Sequence, residues 1–482
     1  MKVISFIFLI YCINLIFGFL KFPEKMRPYK KIVKNEIISS SQEYDDTKVK
    51  LIETNFDMLY TNYFNAQFSN SPVAPRTDGG YYIAFTDKNY YLHVLSYDKN
   101  DKLLKDFNIM EKALPVDITA TEDGFAIYVL GVNNDDQSYL SLYNNSFQLV
   151  KTVQIMNNSK DDDKTVDSTL EKQVIGYDEN KTPLDGMRFM YNPCNGKLIY
   201  SGGRIFLIFG HYNYFLDEGG RGHSGDSTVS FDNSLNDMDF GDSWGASHSL
   251  IQSATADENY FWTAALSDGY PNGIKVTYTS KTEFSTVFDP INNKKNQRKF
   301  NENDKLAGKI IGYKNGYAEG KLGGILYFEK YKIYCLVYAK TSSLNEDNTV
   351  TGTNINYITT WQFENNKIVN NKTMIVNEFS SEYVMQIRAG KFGDDKVFIT
   401  YSDMPDDQIY KRLFGDIPKG TTPYFYLIDI TNHKKLKSGV KLDKLLMNTN
   451  EDLRTFEDGV LIWATSNKDG KLSIIKIGTV SY

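Results

Sequence analysis

Between Gly210 and Gly273 the chain gathers three of its five histidines, His211, His223 and His248, and two of its four tryptophans, Trp244 and Trp262. Carboxylates, glycines and serines fill the spaces between them, in GHYNYFLDEGGRGHSGDSTVSFDN, SWGASHSLIQS and NYFWTAALSDGYPNG. Two imidazoles with a carboxylate make a common transition-metal set. His223, Asp226 and His248 are therefore candidate ligands, with Asp268 or His211 as a further one. No HxH or HExxH spacing accompanies them. A nucleophilic triad can be drawn from Ser247 or Ser249 with His248 and Asp226. Neighbouring residues of an extended strand point to opposite faces, which would part Ser247 from His248.

Paired carboxylates for glycoside hydrolysis have candidates in Asp217, Glu218, Asp226, Asp239, Asp242 and Asp268, but their separation across a sugar bond is not a property of sequence. Tyr212, Tyr214, Phe215, Trp244, Trp262 and Tyr270 are an aromatic set suited to sugar stacking. Trp262, inside NYFWTAAL, reads as core, whereas Trp244 lies in a Gly/Ser loop. The oxygen-rich DNSLNDMDFGD, residues 232–242, is a calcium candidate without EF-hand spacing. GGRGHSG lacks the Lys-Ser/Thr pair of a phosphate loop. The plainer account is that these residues hydrogen-bond within a loop and fix it. The ligand-binding candidates are His211, His223, Asp226, Trp244, His248, Asp268 and Tyr270; no catalytic residue is assigned. The cofactor stays open, with calcium or a transition metal as the candidates.

The elements that must position this region repeat along the chain. DGGYYIAFTDKNYYLHVLSYDKNDKLLKDFNI (78–109) is followed by EDGFAIYVLGVNNDDQSYLSLYNNSFQLVKTVQI (122–155) in the same order of turn, apolar strand and alternating strands. Gly80 and Gly124 stand 44 positions apart, the period of a four-stranded propeller blade. Stretched copies open at SGGRIFLIFGHYNYF, ENYFWTAALSDGYPNGIKVTYTS, KNGYAEGKLGGILYFEKYKIYCLVYAK and DDKVFITYSDM, and EDGVLIWATSNKDGKLSIIKIGTV closes the series. Alternation of apolar and polar residues gives half-buried strands throughout.

On these openings the chain resembles the secreted β-propeller class, similar to WD40 or kelch proteins in layout but without regular WD or kelch signatures. The turn TSNKDGKLSI is similar to a sialidase Asp-box, yet Ser466 stands three positions before Asp469 instead of two. The expected fold is all-β: one propeller of seven blades, with six or eight as alternatives, its ring closed by an N-terminal strand because closure removes exposed edges. YKKIVKNEII (29–38) alternates suitably for that strand. The expected organisation is a signal peptide at 1–20, an N-terminal segment with the closing strand at 21–77, and the propeller at 78–482. Polar insertions fall near 156–193, 282–304 and 403–422.

Val3 to Leu20 is a nearly unbroken apolar run behind Lys2, as in a secretory signal, and the basic flank after it disfavours an anchor. Sequons at Asn144, Asn157, Asn180 and Asn371 fit a secreted glycoprotein, though Pro183 follows the third closely. After signal removal Cys194 and Cys335 remain, able to pair or to stay as two buried thiols. A net charge of -6 and a pI near 5.6 argue against nucleic acid as partner. No membrane insertion is expected after signal cleavage, and the oligomeric state is open. The expected role is extracellular binding of a glycan or a protein. A polysaccharide hydrolase or lyase, and a structural matrix or cell-surface component, are the alternatives.

Overall fold

The computed structural model describes residues 38–44, 47–59, 71–111, 113–131, 138–156, 188–189, 196–215, 221–236, 238–240, 251–267, 273–282, 287–288, 320–341, 353–365, 367–380, 383–404, 424–442, 452–467 and 469–479. The seven sheets are antiparallel meanders of adjacent strands. Blades one to six span 73–111, 113–156, 196–240, 251–288, 320–380 and 383–441. Blade seven joins Arg454–Thr455, Leu461–Ser466 and Lys471–Thr479 to the N-terminal strand Thr47–Asp57, with Ile38–Tyr44 as a fifth, outermost strand. The first strand of each blade touches the first strand of the next, and blade seven returns to blade one. The chain is thus a closed seven-bladed β-propeller. Among the described residues the one helical element is a 3-10 turn at Glu329–Tyr331, and no helix is long and apolar enough to cross a membrane.

Closure by an N-terminal strand holds, but the strand is Thr47–Asp57, further along than YKKIVKNEII. Of that segment, Ile38 begins the outermost strand and 29–37 lie outside the described residues. In Thr47–Asp57 buried Ile52 and Phe56 pack toward blade one and buried Val49 packs toward blade six, while Glu53, Asn55 and Asp57 are exposed. The signal-peptide segment, Asn157, Asn180 and Cys194 also lie outside the described residues.

Packing between blades supplies the core. Each interface holds its own apolar cluster, from Ile52, Phe85 and Ile474 between blades seven and one to Cys335, Ile387 and Ile399 between five and six. Cys335 is a free buried thiol, and burial pushes its pKa up. Trp262 is fully buried, as its strand context suggested. It packs on Tyr334 (centroids 4.5 Å apart) and Tyr278 (4.9 Å) between blades four and five. Its Nε1 donates to Asp257 Oδ2 at 2.9 Å, and the Tyr334 hydroxyl donates to the same oxygen.

Turns fix the strand register. Asp87, Asp98, Asn144, Asp232 and Asn467 each accept, at Oδ1, the backbone amides two and four residues on. The residue three on, namely Tyr90, Asp101, Phe147, Leu235 or Gly470, has positive φ. A short Asx side chain thus replaces a backbone turn and drives one residue left-handed, the construction of a tight bulged hairpin. The Asp-box-like turn and the head of the calcium candidate are two of these five.

Candidate functional site

Antiparallel meanders sort connections onto two faces. On one face the first strand turns into the second and the third into the outer one, through links no longer than 281–286. On the other face second strands pass to third strands and each blade passes to the next. There the links include 58–72, 157–195 (interrupted by the strand Arg188–Phe189), 216–220, 241–250, 268–272, 289–319, 342–352, 405–423 and 442–453. One face is therefore trimmed to links of six residues or fewer, and the other takes the long polar insertions.

The described strand ends nearest the sequence-derived candidates open on this second, elaborated face. Trp244, His248, Asp268 and Tyr270 lie outside the described residues, but the strand ends that flank them, Phe240, Ile251, Ser267 and Gly273, open on it. His211 and His223 lie on the paired strands Arg204–Phe215 and Arg221–Asp232, which run on past the neighbouring inner strand Gly196–Ser201 as an arm whose far end is edged by the short strand Arg188–Phe189, paired with Asn213 and Tyr214. In that register His211 opposes Gly225, Asn213 opposes His223, and Gly210 opposes Asp226. His211 and His223 therefore share one parity of the ribbon and Asp226 has the other. Asp226 is buried at 3 % exposure.

Among the described residues no three of His, Cys, Asp and Glu are grouped to hold a metal ion. Asp232, at the head of the calcium candidate, spends its carboxylate on its own turn: Ser234 Oγ donates to Oδ2 at 2.9 Å, besides the two amides on Oδ1. A G-x-S-x-G pattern stands at Gly241–Gly245. Its flanking described elements, Met238–Phe240 and Ile251–Ala256, are both strands, whereas a nucleophile elbow joins a strand to a helix.

The arrangement that sequence reasoning missed lies on the ring axis. Counting rungs from the first hairpin of each blade, the fifth is Asp117 in blade two, Lys197 in three, Gln252 in four, Gly324 in five and Arg388 in six. Ring closure brings these positions to one level. Blade seven adds Asp452 and Arg454 beside them.

Arg454 Nη2 donates to both oxygens of Asp117 at 2.6 Å and lies 3.5 Å from Asp452. Lys197 pairs with Asp452 across the axis. Asp117, fully buried, also accepts the amides of Ile118 at 2.9 Å and Leu198 at 2.7 Å. Arg388 donates to the carbonyls of Leu322 and Ile387. Burial alone would raise the Asp452 carboxyl, but the charges of Lys197, Arg454 and Arg388 outweigh it and hold the group below the usual carboxylate range. Burial works against the Arg454 guanidinium too, and Asp117 and Asp452 more than offset it. Blades two, three and seven are thereby tied through the centre, where charge interactions are poorly screened.

A faint signal for this layer is present in the sequence. Asp117, Lys197, Gln252 and Arg388 each stand five residues before the first turn residue, Glu122, Gly202, Asp257 and Gly393. It becomes visible only once blades are aligned on those turns.

The fold and site define a seven-bladed β-propeller with one elaborated face and a charged axis. No protein-family model matches the chain, and no curated protein matches it in sequence. Among solved structures it is similar to the BP39L lectin of Burkholderia pseudomallei, at 8 % identity and TM-score 0.48, covering 84 % of this chain and 95 % of that one. It is also similar to an oligogalacturonate lyase in complex with manganese, at 5 % identity and TM-score 0.44, covering 94 % and 98 %. Sqt1 of Saccharomyces cerevisiae is a third, at 8 % identity and TM-score 0.35, covering 87 % and 98 %.

Proposed function

We propose that this chain is an extracellular binding protein whose elaborated propeller face docks a glycan. The supporting observation is the asymmetry between the faces. Every connection beyond six residues leaves from one side of a scaffold whose other side has only shorter links. Loops held on a rigid frame are where binding residues concentrate. Trp244 and Tyr270 supply stacking area in this reading, and His211, His223, His248 and Asp268 supply directional hydrogen bonds, the mixture usual in ligand sites. The apolar N-terminal run and the exposed Asn371 sequon on the outer strand of blade five fit a secreted glycoprotein.

The test is a glycan-array screen of the purified chain beside a variant in which residues 241–250 are replaced by a Gly-Ser linker. Retained melting temperature with lost glycan binding supports the reading. A blank array overturns it in favour of a protein partner or a structural role. Mass analysis of any bound oligosaccharide after incubation separates binding from cleavage.

A further inference from the structure

Tyr90 is held left-handed, with φ 66°, in the Asx turn that joins the second and third strands of blade one. An L side chain is strained in that conformation, so something must offset it. The four turns of the same build show what does. Gly470 has no side chain to strain, Phe147 and Leu235 are buried, and the Asp101 carboxylate accepts from Lys50, Lys476 and the Tyr81 hydroxyl. Tyr90 is 37 % exposed, and its side chain makes no hydrogen bond or ring contact. Among the described residues it is the one aromatic or aliphatic side chain kept left-handed without burial. Its turn lies on the elaborated face, at the seam where the ring closes. There Met58 and Leu59, leaving the closing strand, donate their amides to the carbonyls of Gly470 in blade seven and Thr86 in blade one. Asp57 accepts from Lys88 at 2.8 Å and pairs with Lys471 at 3.0 Å. Asp57, Lys88 and Asn89 are all exposed, so ammonium, carboxylate and amide groups stand at the same seam as the open aromatic ring.

We propose that Tyr90 is a stacking platform for one pyranose ring of a glycan, with Lys88, Asn89 and Asp57 as hydrogen-bonding partners of its hydroxyls. Such a ring offers an apolar C–H face to the tyrosine and polar groups to its neighbours, the division of labour usual in ligand sites. The backbone strain at Tyr90 then serves recognition, since folding gains nothing from it. The saccharide rests on the glycan-binding reading above, whereas the claim that Tyr90 does not serve the fold rests on its own exposure and conformation.

The experiment uses the full chain, wild type beside Tyr90→Gly and Tyr90→Phe, in thermal melts and in dilution series over one glycan array. Glycine takes the left-handed backbone freely, so Tyr90→Gly should melt at or above the wild-type temperature. The same variant should bind the glycans captured by wild type about tenfold or more weakly, as truncation of an aromatic anchor does. Tyr90→Phe keeps the ring and should bind like wild type. A Tyr90→Gly melt more than about 2 °C below wild type would make Tyr90 a packing residue and overturn the proposal. Equal loss of binding in Tyr90→Phe would overturn stacking. Array hits whose affinity is unchanged in Tyr90→Gly would defeat this site and leave the glycan reading standing. A blank array for wild type would defeat both.

Discussion

Asp101 is the residue through which ring closure is most open to attack. It occupies the left-handed position of a hairpin in blade one, with φ 65°, and its carboxylate reaches across to blade seven. Lys50 of the closing strand donates to it at 2.5 Å, Lys476 at 2.9 Å and the Tyr81 hydroxyl at 3.0 Å. The Asp101 and Lys476 side chains are 6 % and 4 % exposed, and the Lys476 ammonium also lies over the Phe456 ring at 4.8 Å. Asp101→Asn keeps shape and tolerates the left-handed backbone, so the loss is the charge alone. Removing one partner of a buried ion pair costs about 3–5 kcal/mol, and because the amide oxygen still accepts a hydrogen bond, about 3 kcal/mol is expected. At ~2.1 cal/mol/K of unfolding entropy per residue over roughly 400 residues, the melting temperature falls by about 3–4 °C. Lys50, at 30 % exposure, should matter less, with Lys50→Met costing at most about 1 kcal/mol.

Hydrogen bonding from Lys50 and the charge of Lys476 outweigh burial and hold the Asp101 carboxyl below its ordinary value. Its folded pKa is thus depressed below the unfolded one. The stabilisation is fully present above the unfolded value near ~4 and is lost as pH falls through the folded value. Denaturant melts of wild type, Asp101→Asn, Lys476→Met and the double variant, run at neutral and acid pH, check this. A single-variant loss under about 0.5 kcal/mol, or additive single losses in the cycle, would refute the clasp.

Other parts of the structure give further expectations. Asp257→Ala leaves the Trp262 indole and the Tyr334 hydroxyl without their acceptor, so it should destabilise by about 2–4 kcal/mol and alter tryptophan fluorescence; unchanged emission and stability would contradict the buried placement. His93 sits between Asp106 at 2.9 Å and Asp87 at 3.4 Å. Burial opposes its charge, but those two carboxylates prevail and its pKa is raised. Its stabilisation is therefore present below ~6.5 and fades as pH rises through the folded value; an NMR titration should show the raised midpoint, and His93→Gln should abolish that pH dependence of stability. Expressed through a secretory route, Asn371→Gln should lose a glycan by gel mobility, because Asn371 is exposed on an outer strand. Asn144→Gln should instead cost stability, because the Asn144 side chain holds the Ser146 and Gln148 amides.

The blades were legible in the sequence because their hairpins need Asx or Gly at fixed places and their strands alternate between apolar and polar. The inner strands were harder to read. Val73–Pro75 is short and Ala113–Thr121 is buried over most of its length, so neither carries a period. The closing strand was assigned too early because 29–38 and 47–57 alternate equally well, and only the edge offered by Lys471–Thr479 distinguishes them. The axial layer is least local of all, since Asp117 meets Arg454 across 337 residues. The histidines and tryptophans of 210–273 looked like one cluster. Register splits His223 from Asp226 by parity, and burial assigns Trp262 to the core.

The central claim is that the elaborated face, and no other surface, recognises ligand. Two sets of variants of the purified chain on one glycan array test it most directly: loop replacements at 241–250 and 268–272, and turn replacements at 98–102 and 429–433 on the opposite face. Loss of binding confined to the first set, in variants that melt like wild type, is the predicted result. Binding that survives the loop replacements, or is lost with the turns, would contradict it.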